Sequence, residues 1–410
     1  MNIKPFKAVR PTRDKVSLIA SRSYETYTQA ERKARLDNNP YSFLHIVNPG
    51  YKYHKKIAGA ERFTLVRNRY QEFKEDGIFI QEEKPAYYVY KIVDREEQEF
   101  IGLVAAASVA DYKNGLIKKH EDTLRLREDL FKEYLKTTGF NAEAVLLTHT
   151  ENDRLEAIYH KVMQERAEYE FTTTYRDTHY LWPIIDENLT DEITAQFKAM
   201  PTLYLADGHH RSSSSHLLAE ELSKKENTES DAAYNYFMAY ILPEPQLRIH
   251  GFSRMVTDLN GMDTKGFLIA LDAIFKIENR GQVYYEPSKK HHFCMYLDGD
   301  FYSLYLRKRF LNFDNALDAL DAQILYLKVL KPLLGITDLR YDKRIEYGTG
   351  KNDMVRVKEL VDFGKFAVGF SMLPPKFEDI KSIADAGLKM PPKSTYVEPK
   401  LRSGVTIYEF

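Results

Sequence analysis

The stretch Leu205-Ala206-Asp207-Gly208-His209-His210-Arg211, followed by the run Ser212 to Ser215, decides how this chain is read. Residues Thr202 to Ala206 predict a strand, Asp207-Gly208 a tight turn, and His209 to Lys224 a helix. The first turn of a helix carries N–H groups with no acceptor inside the helix and the positive end of its dipole, which suits a phosphate. Gly208 would let a phosphate approach the backbone closely. Arg211 adds a planar, permanently charged fork, and His209 and His210 add donors. Asp207 is suited to binding Mg²⁺ or orienting a histidine. The same residues also fit a plain turn closed by an Asp207–Arg211 ion pair. The serines are small enough to let the helix pack closely on a neighbour.

Outward from this box, strand-like and helix-like segments alternate without internal repeats, which predicts an α+β (mixed α/β) chain. Helices are expected at Gln29–Asn38 and at Gly59–Asp76, with Phe63, Val66, Tyr70 and Phe73 at helical spacing. Tyr41–Val47 reads as a strand. Ala86–Val93 and Glu99–Val109 read as a hairpin around the charged turn Asp94–Gln98. Lys118–Thr138 reads as a charged helix with Leu124, Leu126, Leu130, Phe131 and Leu135 on its apolar side. Further helices are expected at Asp153–Glu168, Asp191–Met200 (capped by Thr190) and Ala316–Leu330. Lys224–Asp231 is the best internal loop. The expected division is an N-terminal α/β segment (1–84), a nucleotide- or phosphate-binding core (85–254) and a C-terminal α/β module with a Pro/Lys tail (255–410).

The 410 residues correspond to about two to three domains at roughly 150 residues each. Hydrophobic residues make up 43% and charged residues 29%, so a packed core is expected without staples. Lys plus Arg number 59 against 60 Asp plus Glu, leaving net charge −1, which argues against a nucleic-acid or anionic-membrane partner. The single cysteine, Cys294, excludes an intramolecular disulfide and a cysteine-based zinc site. Gly102–Ala110 is the longest clean apolar run, far below the roughly 20 residues that span a bilayer. Met1–Arg13 is basic without an apolar segment, so no signal peptide is expected, and the location expected is cytoplasmic. The 29 tyrosines are expected to pack sheets.

Two further segments carry candidate chemistry. Asp111-Tyr112 with Lys118-Lys119-His120-Glu121 and Thr123 places a carboxylate among cations, as a general base for a hydroxyl requires. Glu121 and Arg125 at i, i+4 would equally form an ordinary surface pair. Met390-Pro391-Pro392-Lys393-Ser394-Thr395-Tyr396 with Pro399-Lys400 is stiffened by its prolines. It would either close over an anion or simply dock as an arm. Gly348-Thr349-Gly350-Lys351-Asn352 fails as a P-loop, having Ile345 where glycine is needed and Asn352 where Ser or Thr is needed. His291-His292 reads as surface.

Together these boxes resemble a widespread bacterial and archaeal family of unknown function. Its hallmarks are an Ala-Asp-Gly-His-His-Arg box, here Ala206–Arg211, and a Met-Pro-x-Lys-Ser-Thr tail followed by Pro-Lys, here Met390–Lys400. Arg10-Pro11, Asn39-Pro40, Asp111-Tyr112, His179, Arg254 and Leu320-Asp321 also match. Two departures stand out: Arg22-Ser23-Tyr24-Glu25 where many members have Pro-Pro-Tyr-Asp, and Ser212-Ser213-Ser214 where many have Tyr-Glu-Thr. The box also resembles the phosphate loop of the ParB/sulfiredoxin superfamily, which includes free-serine kinases. The resemblance implies a ParB/sulfiredoxin-like mixed-sheet core with a helix-capped phosphate loop, plus a second module. It implies a kinase passing a phosphoryl group from ATP or ADP, with Mg²⁺, to free L-serine or a similar hydroxylated metabolite. In that picture Asp207 with Gly208, His209, His210 and Arg211 holds phosphates and the metal, and Glu121 takes the hydroxyl proton. Lys118, Lys119, His120 and Arg254 neutralise charge, while Lys393, Ser394, Thr395 and Lys400 close the site. The partners implied are a nucleotide and a free amino acid, and a homodimer is compatible with it. The alternative is a nucleotide-binding or NTPase regulator without kinase activity, although no helix-turn-helix follows the box.

Overall fold

The computed structural model describes residues 1–226, 231–349 and 353–410. The chain divides into two compact units: Met1–Lys119 with Thr123–Leu247 and Pro399–Phe410, and His120–Asp122 with Arg248–Glu398. Among the described residues no helix is long and apolar enough to cross a membrane.

The first unit is built on a nine-stranded mixed sheet. Its strands are β1 (Ile3–Lys4), β2 (Tyr87–Val93), β3 (Glu99–Ser108), β4 (Ile117–Lys118), β5 (Val145–His149), β6 (Tyr169–Thr172), β7 (Thr178–Ile184), β8 (Leu203–Asp207) and β9 (Tyr236–Pro243). They lie in the order β4-β8-β5-β9-β3-β2-β7-β6, with β1 also on β3. The pairs β4–β8 and β5–β9 are parallel, and the other pairs are antiparallel. The predicted hairpin is β2–β3. The apolar run that forms β3 is buried on both faces in mid-sheet, as an unbroken apolar strand requires. Gly102 is needed there, because a Cβ would lie 2.5 Å from the Ile241 carbonyl oxygen. Tyr87, Tyr88, Tyr90 and Tyr240 are wholly buried, so these tyrosines do pack the sheet. Val89, Leu103, Leu147, Leu205, Phe237 and Ile241 belong to one core cluster.

The longer helices of this unit are α1 (Gln29–Asn38), α2 (Gly59–Glu75), α3 (Arg125–Thr138), α4 (Asp153–Val162), α5 (Glu187–Ala199) and α6 (His209–Glu226). Thr28 and Glu31 form a capping box on α1. The four apolar residues predicted for α2 are its buried ones. Three expectations are corrected. Tyr41–Val47 is no strand but a turn of helix at Leu44–Val47, burying Leu44 and Ile46; a short apolar run cannot distinguish the two. The cap of α5 is Asp186, which accepts from the Leu189 N–H, so this helix starts before Thr190. Lys118–Thr138 is not one helix: Lys118 ends β4, and α3 begins only at Arg125. Leu126 is 81% exposed and Leu130 52%, while Glu128 is buried.

Packing against α6 explains that inversion. Ser213 and Thr123 both donate side-chain hydrogen bonds to Glu128 Oε1, and Ser214 Oγ donates to the Glu128 carbonyl at 3.1 Å. The serine face thus receives α3 closely, as its small side chains predicted. Burial pushes the Glu128 carboxyl up, but the two hydroxyls hold it below its ordinary value. Glu128→Ala would strand two hydroxyls, so we expect a loss of about 2 to 3 kcal/mol, roughly 2–4 °C in Tm for a chain of this size. An unchanged Tm in calorimetry would make this carboxylate dispensable for packing.

The second unit holds a six-stranded sheet: β10 (Phe252–Val256), β11 (Phe275–Gly281), β12 (His292–Leu297), β13 (Asp300–Leu306), β14 (Ile345–Thr349) and β15 (Val368–Met372). Its order is β11-β13-β12-β15-β10-β14, antiparallel throughout. Helices α7 (Thr264–Asp272), α8 (Asp353–Asp362) and α9 (Phe377–Asp385) accompany it. The helix expected at Ala316–Leu330 is α-helical only over Asp321–Leu325 and continues as a π-helical turn to Leu330. The Lys224–Asp231 loop and the failed P-loop at Gly348–Asn352 each fall partly outside the described residues.

Candidate functional site

Strand β8 brings the box to the sheet edge beside β4. Its register on β5 runs Tyr204 to Thr148 and Leu205 to Leu147, then shifts so that Asp207 faces Leu146. Ala206 is the extra residue of a β-bulge, a device that re-aims the side chains next to it. Gly208 follows with φ +98°, a backbone only glycine adopts freely. A Cβ there would sit 3.2 Å from Arg211 Nε. The ladder of α6 starts with the Ser212 N–H to the Gly208 carbonyl, 3.0 Å, so the N–H groups before it have no acceptor within the helix.

Arg211 folds back over this turn. Its Nη2 donates to Asp207 Oδ2 at 2.8 Å and its Nη1 to the Ala144 carbonyl at 2.5 Å, with Glu143 at 3.9 Å. The ion pair expected of a plain turn is therefore present. What the box alone did not reveal is Lys400, whose Nζ reaches Asp207 Oδ1 at 3.0 Å. The last residue of the tail motif and the first acid of the box thus meet on one carboxylate. Burial pushes the Asp207 carboxyl up, but Lys400 and Arg211 hold it below its ordinary value. Two cations are in this way held at the start of a helix.

The neighbouring cations Lys118, the last residue of β4, and Lys119 lie against tyrosines. Lys118 Nζ lies 5.9 Å from the centre of the Tyr204 ring, and Lys119 Nζ donates to the Tyr112 hydroxyl at 3.4 Å. His209 is buried and His210 half-buried in the first turn of α6. As a ligand for a protein-held Mg²⁺, Asp207 is poorly suited, because each of its oxygens already pairs with a cation. Octahedral Mg²⁺ sites want unencumbered carboxylate oxygens. The residues present do not fit such an ion at Asp207.

The other predicted residues belong to the second unit. The His120 carbonyl accepts from the Met390 N–H at 2.8 Å, so the start of the tail motif pairs with the Lys-Lys-His-Glu box. Glu121 is half-buried and lies on no helix, so the helical i, i+4 surface pairing with Arg125 does not arise. Arg125 pairs with Asp129 at 3.2 Å instead. Lys393 is exposed, with its backbone at φ +57° and its Nζ 5.4 Å from the Phe252 ring centre. Ser394 is buried and donates to the Pro391 carbonyl at 2.6 Å; Thr395 is half-buried.

Arg254 on β10 is 1% exposed. Nη1 donates to the Phe252 carbonyl at 2.9 Å and Nη2 to that of Lys393 at 3.3 Å, and the Tyr347 ring lies 5.8 Å away. Its Nε has no partner among the described residues. Burial pushes this guanidinium down to about 10. A buried cation matched by carbonyls, the Met372 sulfur (3.5 Å from Nη1) and a ring is costly for folding and well prepared for an anion. Arg254→Met is therefore expected to leave Tm unchanged or raised, and to remove any stabilisation by added pyrophosphate. A Tm fall beyond about 2 °C, roughly 2 kcal/mol at this size, would make Arg254 a structural cation instead.

Several matching residues are architecture. Arg10 bonds Glu82, Glu168 and the Tyr169 hydroxyl. His179 is stacked on Phe171, bonded to the Tyr90 hydroxyl, and receives Arg402 Nε at 3.3 Å. Asp111 accepts from the Asn2 N–H at 2.6 Å. His291, read as surface, is half-buried, and Asp321 accepts from both its N–H (2.8 Å) and its ring (3.1 Å). Glu128 and Glu143 were missed. The serine run beside the box was the available signal for Glu128; nothing local signals Glu143.

A family model matches residues 3–323. The chain belongs to that family, described as protein of unknown function (DUF1015). No curated protein matches it. Among solved structures, the chain is similar to a variant of a free serine kinase in complex with AMP, at 12% identity and TM-score 0.37, covering 74% of this chain and 92% of that one. It is similar to a conserved hypothetical protein from Pyrococcus furiosus, at 12% identity and TM-score 0.36, covering 74% and 95%. It is also similar to SbnI with a C-terminal truncation from Staphylococcus aureus, at 12% identity and TM-score 0.38, covering 74% and 85%.

Proposed function

We propose that this protein is a small-molecule phosphotransferase that moves a phosphoryl group from ATP or ADP to free serine or a similar small hydroxylated metabolite. The observation that carries the reading is the bulged strand, left-handed Gly208 and α6 start, with Arg211 and Lys400 gathered on Asp207. A helix start flanked by fixed cations is chemistry for phosphate. The resemblance of the Asp207–Arg211 box to that of free-serine kinases supports the choice of acceptor.

Phosphoryl transfer needs little covalent chemistry from a protein, and catalysis is chiefly positioning and charge neutralisation. The N–H groups of Gly208 to Arg211 bind phosphate oxygens, and Arg211 and Lys400 exchange part of their hold on Asp207 for the incoming charge. His209 and His210 donate to the same oxygens. Lys118, Lys119, His120 and Arg254 balance charge that develops on the moving group. Glu121 accepts the hydroxyl proton of the acceptor. Lys393, Ser394 and Thr395 belong to the stiff tail that excludes water. Mg²⁺ comes with the nucleotide, and no step here requires a protein ligand for it.

The test is phosphorus NMR on the purified protein with Mg²⁺, ATP or ADP, and a panel of free amino acids and small hydroxy acids. A serine-dependent phosphomonoester signal is expected. Nucleotide consumption without a phosphorylated acceptor would instead support an NTPase regulator. Neither consumption nor nucleotide binding would overturn the proposal.

A further inference from the structure

The net charge of −1 conceals a strongly basic stretch: between Ser21 and Tyr70 there are ten Lys and Arg against four Asp and Glu. Four of these cations, Arg22, Arg32, Arg35 and Arg62, are half-buried in the first unit. Among the described residues none of the four forms an ion pair with a carboxylate. The acids of the stretch are committed elsewhere. Glu25 pairs with Arg127 at 3.4 Å and Asp37 with Lys33 at 2.6 Å. Glu31 caps α1 through Thr28 and feels the charge of Arg22 and Arg35 from beyond pairing distance. Glu61 sits in the first turn of α2, where the helix dipole favours it.

The four arginines face tyrosine rings instead. Arg22 and Arg35 share two of them: they lie 4.7 and 5.5 Å from the centre of Tyr175, and 5.7 and 5.2 Å from that of Tyr27. Arg32 and Arg62 share the Tyr24 ring, at 4.3 and 5.5 Å. Tyr24 packs on the small core cluster of Tyr27, Leu36 and Leu44, so the two arginine pairs are adjacent. Arg402 also lies over Tyr175, at 5.6 Å, but is paired with Asp177.

A ring face holds a guanidinium through its quadrupole but cancels no charge. Four like charges, partly out of water and side by side, repel one another until an anion joins them. The rings also fix the planar forks, so less rotamer freedom is lost when an anion binds. Donors remain for it. Of five N–H groups on each guanidinium, Arg35 gives one to the Thr174 hydroxyl and Arg62 one to the Val47 carbonyl, both at 2.8 Å. The guanidiniums of Arg22 and Arg32 give none among the described residues. The charge is compact as well, since Arg32 and Arg35 are one turn apart on α1. Linked phosphates concentrate negative charge in such a span, whereas in a nucleic-acid strand a nucleoside separates each phosphate from the next. Guanidinium forks take phosphate oxygens two at a time.

We propose that Arg22, Arg32, Arg35 and Arg62 form a binding site for a compact anion of two or more linked phosphates, free or as the tail of a nucleotide. The site shares no residue with the Asp207–Lys400 cluster and does not depend on the phosphotransferase reading.

Tripolyphosphate is the probe, titrated by calorimetry into the whole protein. Arg22→Gln/Arg35→Gln should weaken it by about tenfold or more, the effect of lost charge-assisted hydrogen bonds. Arg211→Ala should keep this component of binding, which separates the site from the box. Lys55→Gln/Lys56→Gln removes two exposed cations of the same stretch and should leave the affinity nearly unchanged. Should the glutamine pair fail to fold, Arg22→Lys/Arg35→Lys keeps the charge, loses the fork, and is expected to bind less tightly than the parent. Arginine-dependent binding of ATP as tight as tripolyphosphate would assign the phosphates alone; tighter binding would assign a nucleotide. The proposal is overturned if tripolyphosphate does not bind, or if the arginine variants bind it as the parent does. It is equally overturned if the lysine pair matters as much as the arginine pair, which would mark a diffuse basic surface. Arginine-dependent binding of an oligo-dT strand without binding of tripolyphosphate would replace it with a nucleic-acid surface.

Discussion

Glu121→Gln is expected to abolish phosphoryl transfer while leaving nucleotide binding intact. Glutamine keeps the shape and one acceptor oxygen of the side chain but cannot accept a proton at neutral pH. General-base contributions of this kind run from about 10² to 10⁴ in rate. The residue is suited to such a test because it is half-buried and its segment is held through the backbone, by the Met390 N–H on the His120 carbonyl. The substitution leaves that bond untouched, so folding should survive. Single-turnover rates by phosphorus NMR and nucleotide affinity by calorimetry are the paired measurements. Near-normal turnover would remove Glu121 as the base. Lost affinity with normal Tm would move it into the nucleotide site.

Arg211→Ala should weaken nucleotide binding by about 10- to 100-fold, the worth of a charge-assisted hydrogen bond to phosphate. Arg211 also braces the turn through Asp207 and the Ala144 carbonyl, so some stability goes with it, about 1 to 2 kcal/mol. Arg211→Lys separates the two roles. Lysine keeps the charge at the helix start but loses the planar fork that reaches Asp207 and Ala144 together. We expect it to recover part of the affinity and little of the stability. Calorimetric titration with ADP, at a temperature where all three proteins are folded, reads the difference. Equal affinity across the three would place the phosphate site away from the box.

Much of the box was legible from residue order because its physics is local. A strand, a turn glycine and a helix start follow from periodicity and from the backbone freedom of Gly208, and the structure has all three. The β2–β3 hairpin and the apolar face of α2 are local in the same sense. Where the expectation failed, a partner distant in sequence decided the outcome. Leu126 and Leu130 looked like the core face of α3, yet the face that is buried carries Glu128, because the serines of α6 offer it hydroxyls. Lys118 looked helical and became a strand because β8 lies beside it to pair with.

The sequence by itself determined the α+β class, membership of the family whose model matches residues 3–323, and the strand-turn-helix that presents Asp207 to Arg211. These depend on propensity, pattern and backbone sterics within a few residues. Only the tertiary structure decided that Lys400 neutralises Asp207, that Arg254 is buried without a carboxylate among the described residues, and that Arg22 and Arg35 share the Tyr175 ring. Each of these is a matter of which groups lose water together and what they then find to bond. That depends on distance in space, which a linear order of residues does not contain.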